Sequence, residues 1–214
     1  MDFDRHDCDM FLAYDEKSPW YPEESDELEV DQIRIVEDMQ ADFSGRSVLE
    51  IACGGGHWAH RFSSTTQRVV GVDISDRRVA FAKEKGALLP NVDFIQGSAY
   101  ALDDVPGEFT AAYAVAWFSH VPTSRHEEFL TGLHHRIGGS GGIVYLIDES
   151  ENDETAFRID GEPDLYKQGK LASGDTFTIV DNCYNAEYYM ENFAPYGKDL
   201  RIHIEVVPEI RTVC

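Results

Sequence analysis

The fold is decided by residues 48–58, which read Val48-Leu-Glu-Ile-Ala-Cys-Gly-Gly-Gly-His-Trp58. The aliphatic residues at the start of this segment predict a buried strand, and the stretch 58–64 after the glycines predicts a helix. Glycines at a strand-to-helix corner permit a tight turn and let a ligand approach the backbone closely. The free N–H groups at the helix start favour a nucleotide or a similar ligand at this corner.

Outward from this corner, short apolar runs alternate with longer amphipathic ones. This alternation is typical of an α/β domain with a doubly wound, mostly parallel sheet. Together with a C-terminal antiparallel hairpin, the pattern predicts a sheet of about seven strands. The predicted strands are 47–52, 68–72, 92–96, 109–116, 142–147, 176–180, 201–207 and 210–213, and the predicted helices after the first corner are 77–85, 124–137 and 186–193.

The chain is predicted to form one domain that carries an N-terminal cap. Residues 1–44 are polar and acidic, with aromatic interruptions, and the two prolines in Ser18-Pro-Trp-Tyr-Pro22 exclude a regular helix there. Apolar spacing over 27–39 predicts one helix within this segment. We interpret 1–44 as a helical cap or lid over the domain 45–214, in which the acidic segment 150–175 is predicted to be an irregular insertion on the substrate side.

Composition limits the classes of partner. The chain has 18 basic and 40 acidic residues and a net charge of −22, which disfavours nucleic acids and anionic membranes. No apolar run reaches the roughly 18 residues of a membrane span, and the acidic start Met1–Met10 lacks the features of a secretory signal. The four scattered cysteines form no C-x-x-C pair, so we expect no metal site and a cytoplasmic location.

An acidic residue follows the second predicted strand. Asp73, in Val70-Gly-Val-Asp73-Ile, lies about 20 residues past the glycines, where a carboxylate binds ribose hydroxyls. The pattern Gly54-x-Gly56-x-x-Ala59 also matches a degenerate dinucleotide fingerprint. NAD and S-adenosylmethionine sites both use such an acid, so these residues alone leave both cofactors open.

An ordered set of motifs over residues 14–147 resembles the class I (Rossmann-like) S-adenosylmethionine-dependent methyltransferases. Two positions depart from the family's pattern: Ala52 stands where glycine is frequent, and Ser98 stands where aspartate is frequent. The segments that carry the resemblance are Glu50-x-Ala-x-Gly54-x-Gly56, Gly71-Val-Asp73-Ile-Ser75, Asn91–Ala99, Phe109–Pro122 with its end Trp117-Phe-Ser-His120-Val-Pro122, and 137–147.

The resemblance implies that the chain binds S-adenosylmethionine and releases S-adenosylhomocysteine. It implies that Glu50 and the glycine loop meet the methionine half, that Asp73 accepts from the ribose hydroxyls, and that Ile74 and Ser98 lie against the adenine. The full set of implied cofactor residues is Tyr14, Glu50, Ala52, Gly54, Gly56, Trp58, Asp73, Ile74, Ser98, Ala99 and Trp117.

Among its relatives, the chain most resembles small-molecule O- and N-methyltransferases of natural-product type. The start Gly-x-Trp58, the spacing Trp117-x-x-His120-Val-Pro and the segment 174–180 are similar to phosphonate O-methyltransferases. A phosphonate site needs several cationic donors. The region 157–185 offers only Arg158, Lys167 and Lys170, so the phosphonate substrate is not carried over.

The candidate general base is His120, because it follows a predicted strand end and an imidazole titrates near neutral pH. The alternative is that His120 only bonds the backbone or packs beside Pro122. Trp20, Tyr21, His120 and Asp148 are the expected substrate-binding residues. The two aromatic residues would belong to a lid, whereas Asp148 would bind a cationic amine or remain solvated.

These observations predict methyl transfer from S-adenosylmethionine to an oxygen or nitrogen of a small-molecule acceptor by in-line displacement. One alternative is a NAD(P)-dependent reductase, but the first motif begins about 45 residues into the chain, as it does in a methyltransferase with a cap. The other alternative is a non-catalytic cofactor-binding protein.

Overall fold

The computed structural model describes residues 30–137, 141–148, 155–171 and 173–197. Three short 3-10 turns lie at Leu102–Asp104, Phe118–His120 and Thr123–Arg125. Within the residues that the structure describes, no helix has the length and apolarity needed to cross a membrane. The helices and strands, in chain order, are α1 (Val30–Asp42), β1 (Ser47–Ile51), α2 (Ala59–Phe62), β2 (Arg68–Asp73), α3 (Asp76–Lys85), β3 (Val92–Gln96), β4 (Ala111–Val115), α4 (His126–Ile137), β5 (Ile143–Ile147), β6 (Phe157–Arg158), β7 (Leu165–Lys170), β8 (Thr176–Val180) and α5 (Ala186–Phe193).

The main sheet has five strands in the order β3-β2-β1-β4-β5. Every pair in it is parallel. The chain proceeds outward from β1 through β2 to β3 and then returns to place β4 on the other side of β1. The loops that leave β1 and β4 therefore diverge, and they open a crevice at the carboxyl ends of these two strands.

Both faces of this sheet are covered, which explains why its strands are almost continuously apolar. On one face, Leu49 of β1 joins a core that includes Phe129 of α4. On the other face, Val48 joins a core with residues of α1, α2 and α3, including Phe43 just after α1 and Phe62 of α2. These layers confirm the predicted α/β class with a mostly parallel sheet.

Helix α1 packs against the sheet as part of the core. Met39 and Phe43 are fully buried there, and Phe43 stacks on Tyr113 of β4 at a centroid distance of 5.8 Å. The last third of the predicted cap therefore belongs to the domain core. The rest of the cap, including Tyr14, Trp20 and Tyr21, lies outside the described residues.

A second, antiparallel sheet has the order β6-β7-β8. The prediction that 150–175 is irregular was wrong for β6 and β7, because the polar run Leu165–Lys170 has no apolar alternation but pairs along β8. The strand predicted at 176–180 is confirmed, yet it belongs to this small sheet. The main sheet has five strands among the described residues, and the predicted hairpin at 201–213 lies outside them.

The small sheet is attached to the main domain through Asp164, which is only 4% exposed. Its Oδ1 accepts from the Thr123 backbone N–H at 2.9 Å, from the Thr123 hydroxyl and from Asn182 Nδ2 at 2.9 Å. Asn182 Oδ1 in turn accepts from the Leu165 N–H at 2.8 Å, and the Asn182 N–H donates to the Ser119 carbonyl at 2.9 Å. The segment after β4 and the ends of β7 and β8 are therefore joined by one buried polar cluster.

Close packing around Phe94 of β3 requires two of the glycines. A Cβ at Gly71 of β2 would lie 2.6 Å from the Phe94 ring and 2.9 Å from Cys53 Sγ. A Cβ at Gly56 would lie 2.7 Å from the same ring, and Gly56 also has φ +75°. Glycine at these positions lets the loop after β1 pack directly against β2 and β3.

We predict opposite effects for the same substitution at two glycines. Gly71→Ala should lower the free energy of unfolding by about 1–3 kcal/mol, because the added methyl group overlaps Phe94 and Cys53 in a closed core. Gly132→Ala should raise it by about 0.5–1 kcal/mol, because Gly132 lies within α4 and nothing stands within 4 Å of its Cβ position. Urea denaturation measures both, and a Gly71→Ala variant as stable as the parent protein would contradict the packing argument.

Candidate functional site

The parallel sheet brings most of the predicted site residues to one edge. The loop 52–56 follows β1, Asp73 ends β2, Ser98 follows β3, the segment 117–120 follows β4 and Asp148 follows β5. Because all five strands run in one direction, their carboxyl ends lie along the same edge of the sheet. The crevice between β1 and β4 opens at this edge, where ligands bind in open α/β sheets.

The backbone of this edge is strained at two alanines. Ala52, directly after β1, has φ +53°, and Ala116, directly after β4, has φ +50°. A left-handed backbone at a residue with a Cβ costs about 1–2 kcal/mol, and such strain concentrates at functional sites. Ala52 therefore has a left-handed backbone at the position where the family's pattern often has glycine, and Gly54, two residues later, has φ +51°.

The Asp73 carboxylate joins two loops of the site. Its Oδ2 accepts from the Gly54 N–H at 2.8 Å, and its Oδ1 accepts from the Ser75 N–H at 2.9 Å. A carboxylate has about four acceptor positions, so one that is held by two backbone N–H groups can also accept from hydroxyl groups. Asp73 thus fixes the shape of the glycine loop as well as offering the acid that the sequence predicted.

Glu50 is a buried carboxylate inside the sheet. It is 2% exposed and pairs in register with Tyr113 of β4. Burial raises the pKa of the Tyr113 phenol well above its ordinary value, and the negative charge of Glu50 raises it further. Glu50 therefore lies one residue before the end of β1, just ahead of the loop 52–56, in the buried interior of the sheet.

Among the described residues, five further predicted cofactor residues are half-buried: Trp58, Ile74, Ser98, Ala99 and Trp117. Ser98 Oγ accepts from the Tyr100 N–H at 3.2 Å, and the Ile74 carbonyl accepts from Gln96 Nε2 at 3.1 Å. Trp58 precedes α2 and packs partly against the core that contains Phe62. Ala99 packs against the core on the opposite face of the sheet, which contains Phe129.

Trp117 lies at the boundary between the main domain and the small sheet. Its ring contacts Tyr100 at a centroid distance of 6.1 Å and Phe129 of α4 at 6.5 Å, both edge-to-face. It also packs against the apolar cluster of the small sheet, which contains Phe177 and Ile179 of β8. Both sides of the boundary therefore fix the position of this ring.

His120 is buried, with 8% of its surface exposed, and it is held by the end of β8. Its Nδ1 lies 2.7 Å from the Val180 carbonyl and 3.6 Å from Asp181 Oδ1. A carbonyl can only accept, so Nδ1 must donate and the lone pair of the neutral ring lies on Nε2. Of the two roles expected from sequence, the backbone bond is observed, and it leaves the second nitrogen with the chemistry of a base.

Asp148 caps the 3-10 turn Phe118–His120. Its Oδ2 accepts from the Ser119 N–H at 3.0 Å, and its Oδ1 accepts from the Ser119 hydroxyl at 2.7 Å. Burial raises the pKa of Asp148, and the bonds from Ser119 and the nearby His120 oppose that rise. Asp148 thus links the end of β5 to the segment after β4.

Sequence reasoning missed four residues that shape this edge: Ser119, Asp164, Val180 and Asp181. All four act through partners distant in sequence; His120 and Val180, for example, are 60 positions apart. Asp181 alone had a local signal, because an acidic residue directly after a predicted strand is the same pattern that singled out Asp73. Among the described residues, no group of three His, Cys, Asp or Glu side chains could hold a metal ion.

A surface groove at the opposite edge of the sheet is separate from this site. The groove lies at the amino ends of β1, β2 and β3, where Arg68 forms an ion pair with Asp93 at 3.0 Å. The predicted site residues that the structure describes lie at or near the carboxyl ends, so we assign no part of the candidate site to this groove. Its lining residues are Ser47, Gln67, Arg68, Pro90, Asn91, Asp93 and Glu108.

Comparison with known proteins identifies the family. Residues 48–141 match the model of a methyltransferase domain. The uncharacterized methyltransferase C750.03c of Schizosaccharomyces pombe is 30% identical over 113 residues, which make up 52% of this chain and 77% of the relative. The chain belongs to the class I S-adenosylmethionine-dependent methyltransferases. Its cofactor is S-adenosylmethionine, as the ordered motifs predicted.

Two further proteins are similar over different extents. The demethylmenaquinone methyltransferase of Lactococcus lactis subsp. lactis (strain IL1403) is 31% identical over 116 residues, which is 51% of this methyltransferase but only 44% of the relative's own length. DhpI, solved in complex with SAM and HEP, is 28% identical to this chain. The superposition covers 77% of each chain and has a TM-score of 0.63. The structural likeness therefore extends beyond the matched domain model.

The reductase alternative has no support in this methyltransferase. A Tyr-x-x-x-Lys pair of a hydride-transfer site must bring both side chains to one substrate. The single such spacing in the chain, Tyr166 to Lys170, lies on strand β7, where residues four apart are separated by about 13 Å. This pair therefore cannot form a hydride-transfer site.

We predict that Asp148→Asn gains stability relative to the parent protein as the pH rises from about 4 to about 7. Burial raises the pKa of Asp148 above its ordinary 3.8, so the folded state binds this proton more tightly than the unfolded chain. The contribution of protonated Asp148 to the free energy of unfolding is complete below the ordinary pKa. It is lost as the pH rises through the raised pKa of the folded state. The asparagine variant cannot ionise and should escape this loss.

Thermal unfolding of both proteins across this pH range measures the effect. The Asp104→Asn variant, changed at an exposed position, is the control. A difference in melting temperature between Asp148→Asn and the parent that stays constant with pH would contradict the prediction.

Proposed function

We propose that this methyltransferase alkylates an oxygen or a nitrogen of a small-molecule acceptor by in-line displacement, with His120 as general base. The observation that carries the proposal is the hydrogen bond from His120 Nδ1 to the Val180 carbonyl. It holds the ring at the edge where the cofactor residues gather and puts the lone pair on Nε2. The acceptor proton would pass to Nε2 as the new bond to the methyl carbon forms.

The chain's own residues fit S-adenosylmethionine at this edge. Asp73 offers a carboxylate beside the glycine loop, and the two glycines with positive φ, Gly54 and Gly56, shape that loop without side chains. We assign Asp73 to the ribose hydroxyls, and Glu50 with the 52–56 loop to the methionine half. Ile74, Ser98 and Ala99 are assigned to the adenine, and Trp58 and Trp117 to the walls of the pocket.

Methyl transfer depends mainly on how the protein positions the acceptor. Bound S-adenosylmethionine supplies a sulfonium methyl group that is already activated toward nucleophiles. The protein must hold the acceptor in line behind that methyl group, and orientation of this kind contributes about 7–11 kcal/mol. Removal of the acceptor proton by His120 adds about 10²–10⁴-fold. In the proposed reaction the acceptor–H bond and the carbon–sulfur bond break, and S-adenosylhomocysteine leaves.

The charges near His120 favour a neutral or cationic acceptor. Asp148 and Asp181 both lie close to the ring, and the nearby cation Lys167 is 4.0 Å from Asp181 Oδ2. The net charge of −22 further disfavours nucleic acids as substrates. We therefore propose hydroxyl and amine compounds as the first acceptors to test. HEP, the compound bound with SAM in DhpI, belongs in the same panel.

We predict micromolar binding of S-adenosylmethionine and S-adenosylhomocysteine in calorimetry, with no binding of NAD or NADP. Asp73→Ala should weaken S-adenosylhomocysteine binding by about 10²-fold or more, because the two hydrogen bonds that the ribose hydroxyls would donate to the carboxylate are lost. Asp93→Ala is the matched control, since it removes an exposed carboxylate at the opposite edge of the sheet. Equal affinity of the Asp73→Ala and Asp93→Ala variants would exclude Asp73 as the ribose acid.

We predict that His120→Ala lowers kcat by about 10²–10⁴-fold while S-adenosylhomocysteine affinity stays within a few-fold of the parent's. Transfer of a radiolabelled methyl group to an acceptor found in the panel measures the rate. His134→Ala, at an exposed position of α4, controls for the loss of an imidazole. Full turnover by His120→Ala would remove His120 as the base and leave the cofactor assignment intact.

A further inference from the structure

The ring of His120 is held by the end of β8, and Asp181, the residue directly after β8, lies between this ring and Lys167 of β7. We infer that Asp181 is a positioning residue for His120, and that Lys167 sets the strength of its effect. This inference rests on the proposed role of His120 as the base. It assigns the small sheet a part in the chemistry of the site and not only in its shape.

The geometry places three groups in a row. Asp181 Oδ1 lies 3.6 Å from His120 Nδ1, and Asp181 Oδ2 lies 4.0 Å from Lys167 Nζ. The side chain of His120 is 10% exposed, that of Asp181 is 18% exposed and that of Lys167 is 17% exposed. At these exposures the charges are only partly screened by water, so each acts on its neighbour more strongly than a surface pair would.

The backbone fixes Asp181 in this row. Its N–H donates to the Leu165 carbonyl at 2.9 Å, and Val180, the residue before it, supplies the carbonyl that accepts from His120. Asn182, the residue after it, belongs to the buried cluster around Asp164. The carboxylate of Asp181 is thus presented to Nδ1 by a stretch of chain that is bonded at three consecutive residues.

The charged groups that the structure places near His120 fall into two sets. At the end of β5, Asp148 lies close enough for its charge to interact with the ring, but both of its oxygens accept from Ser119. From the small sheet come Asp181 and Lys167, which have opposite charges. Asp181 is therefore the carboxylate placed on the Nδ1 side of the ring, and Lys167 opposes it.

The expected action follows from the signs of the charges. When Nε2 takes a proton, the ring becomes a cation, and a carboxylate 3.6 Å from Nδ1 stabilises that cation. The same carboxylate favours the orientation in which Nδ1–H points toward the small sheet. The Lys167 ammonium group partly neutralises the carboxylate and so limits how basic the ring becomes.

The test is an NMR titration of the His120 ring in the ligand-free protein, with His120 assigned by its loss in His120→Ala. Asp181→Asn should lower the pH at which the ring titrates by about one unit, because an opposite charge at this distance is removed. Lys167→Met should raise that pH by a smaller amount. Asp160→Asn, changed at an exposed position of the β6–β7 connection, should leave it unchanged.

Opposite shifts in the Asp181 and Lys167 variants establish the inference, and Asp181→Glu should recover part of the parent's behaviour. An unchanged titration in Asp181→Asn overturns the inference. Shifts in the same direction for Asp181→Asn and Lys167→Met also overturn it, because a general loosening of the small sheet would shift both titrations alike. Melting temperatures of all variants check that the sheet remains attached. The titration needs no acceptor and no turnover, so its failure is distinguishable from a His120→Ala assay that shows that His120 is not the base.

Discussion

The parallel pairing of β1 with both β2 and β4 is the constraint on which the rest of the structure depends. Because the chain leaves β1 toward one side and returns on the other, the connections after β1 and β4 must diverge. The resulting crevice needs no special residue to create it. The strain at Ala52 and Ala116 arises at the two strand ends that border this crevice, where the backbone must turn away from the sheet sharply.

Two carboxylates stabilise this edge in different ways. Asp73 accepts from two backbone N–H groups and so joins the loops after β1 and β2. Asp164 accepts from Thr123 and Asn182 and joins the small sheet to the segment after β4. One carboxylate thus organises the side assigned to the cofactor and the other organises the side that holds His120. The buried carboxylate of Asp164 is tolerated because hydrogen-bond donors surround its Oδ1, and the half-buried Asp73 is held in the same way by backbone N–H groups.

The sequence predicted the parts of this arrangement that have a local cause. The helix Ala186–Phe193 was predicted with its observed bounds, and the structure shows a local cause for its start, because the Asn185 side chain caps it. The carboxyl-edge positions of Asp73 and His120 were predicted because each follows an apolar run. Strand β7 was missed because its sequence, Leu165–Lys170, is mostly polar and its pairing with β8 is determined by a partner strand.

The roles of Asp148 and His120 were only partly predictable for the same reason. Nothing near Asp148 in sequence indicates that its oxygens accept from Ser119, 29 positions away. The acidic charge of 150–175 suggested an irregular segment, whereas the strands within it pair through backbone groups that every sequence possesses. Long-range partners, and not residue types, decided these outcomes.

The hydrogen bond between His120 and the Val180 carbonyl has an evolutionary consequence. The proton on Nδ1 is located by a main-chain atom, and a main-chain carbonyl survives almost every substitution at its own position. The tautomer of the ring is therefore inherited with the path of β8 and not with the identity of any side chain. Residues of the small sheet that face outward could diverge to suit new acceptors, while the imidazole kept the same nitrogen ready to take a proton.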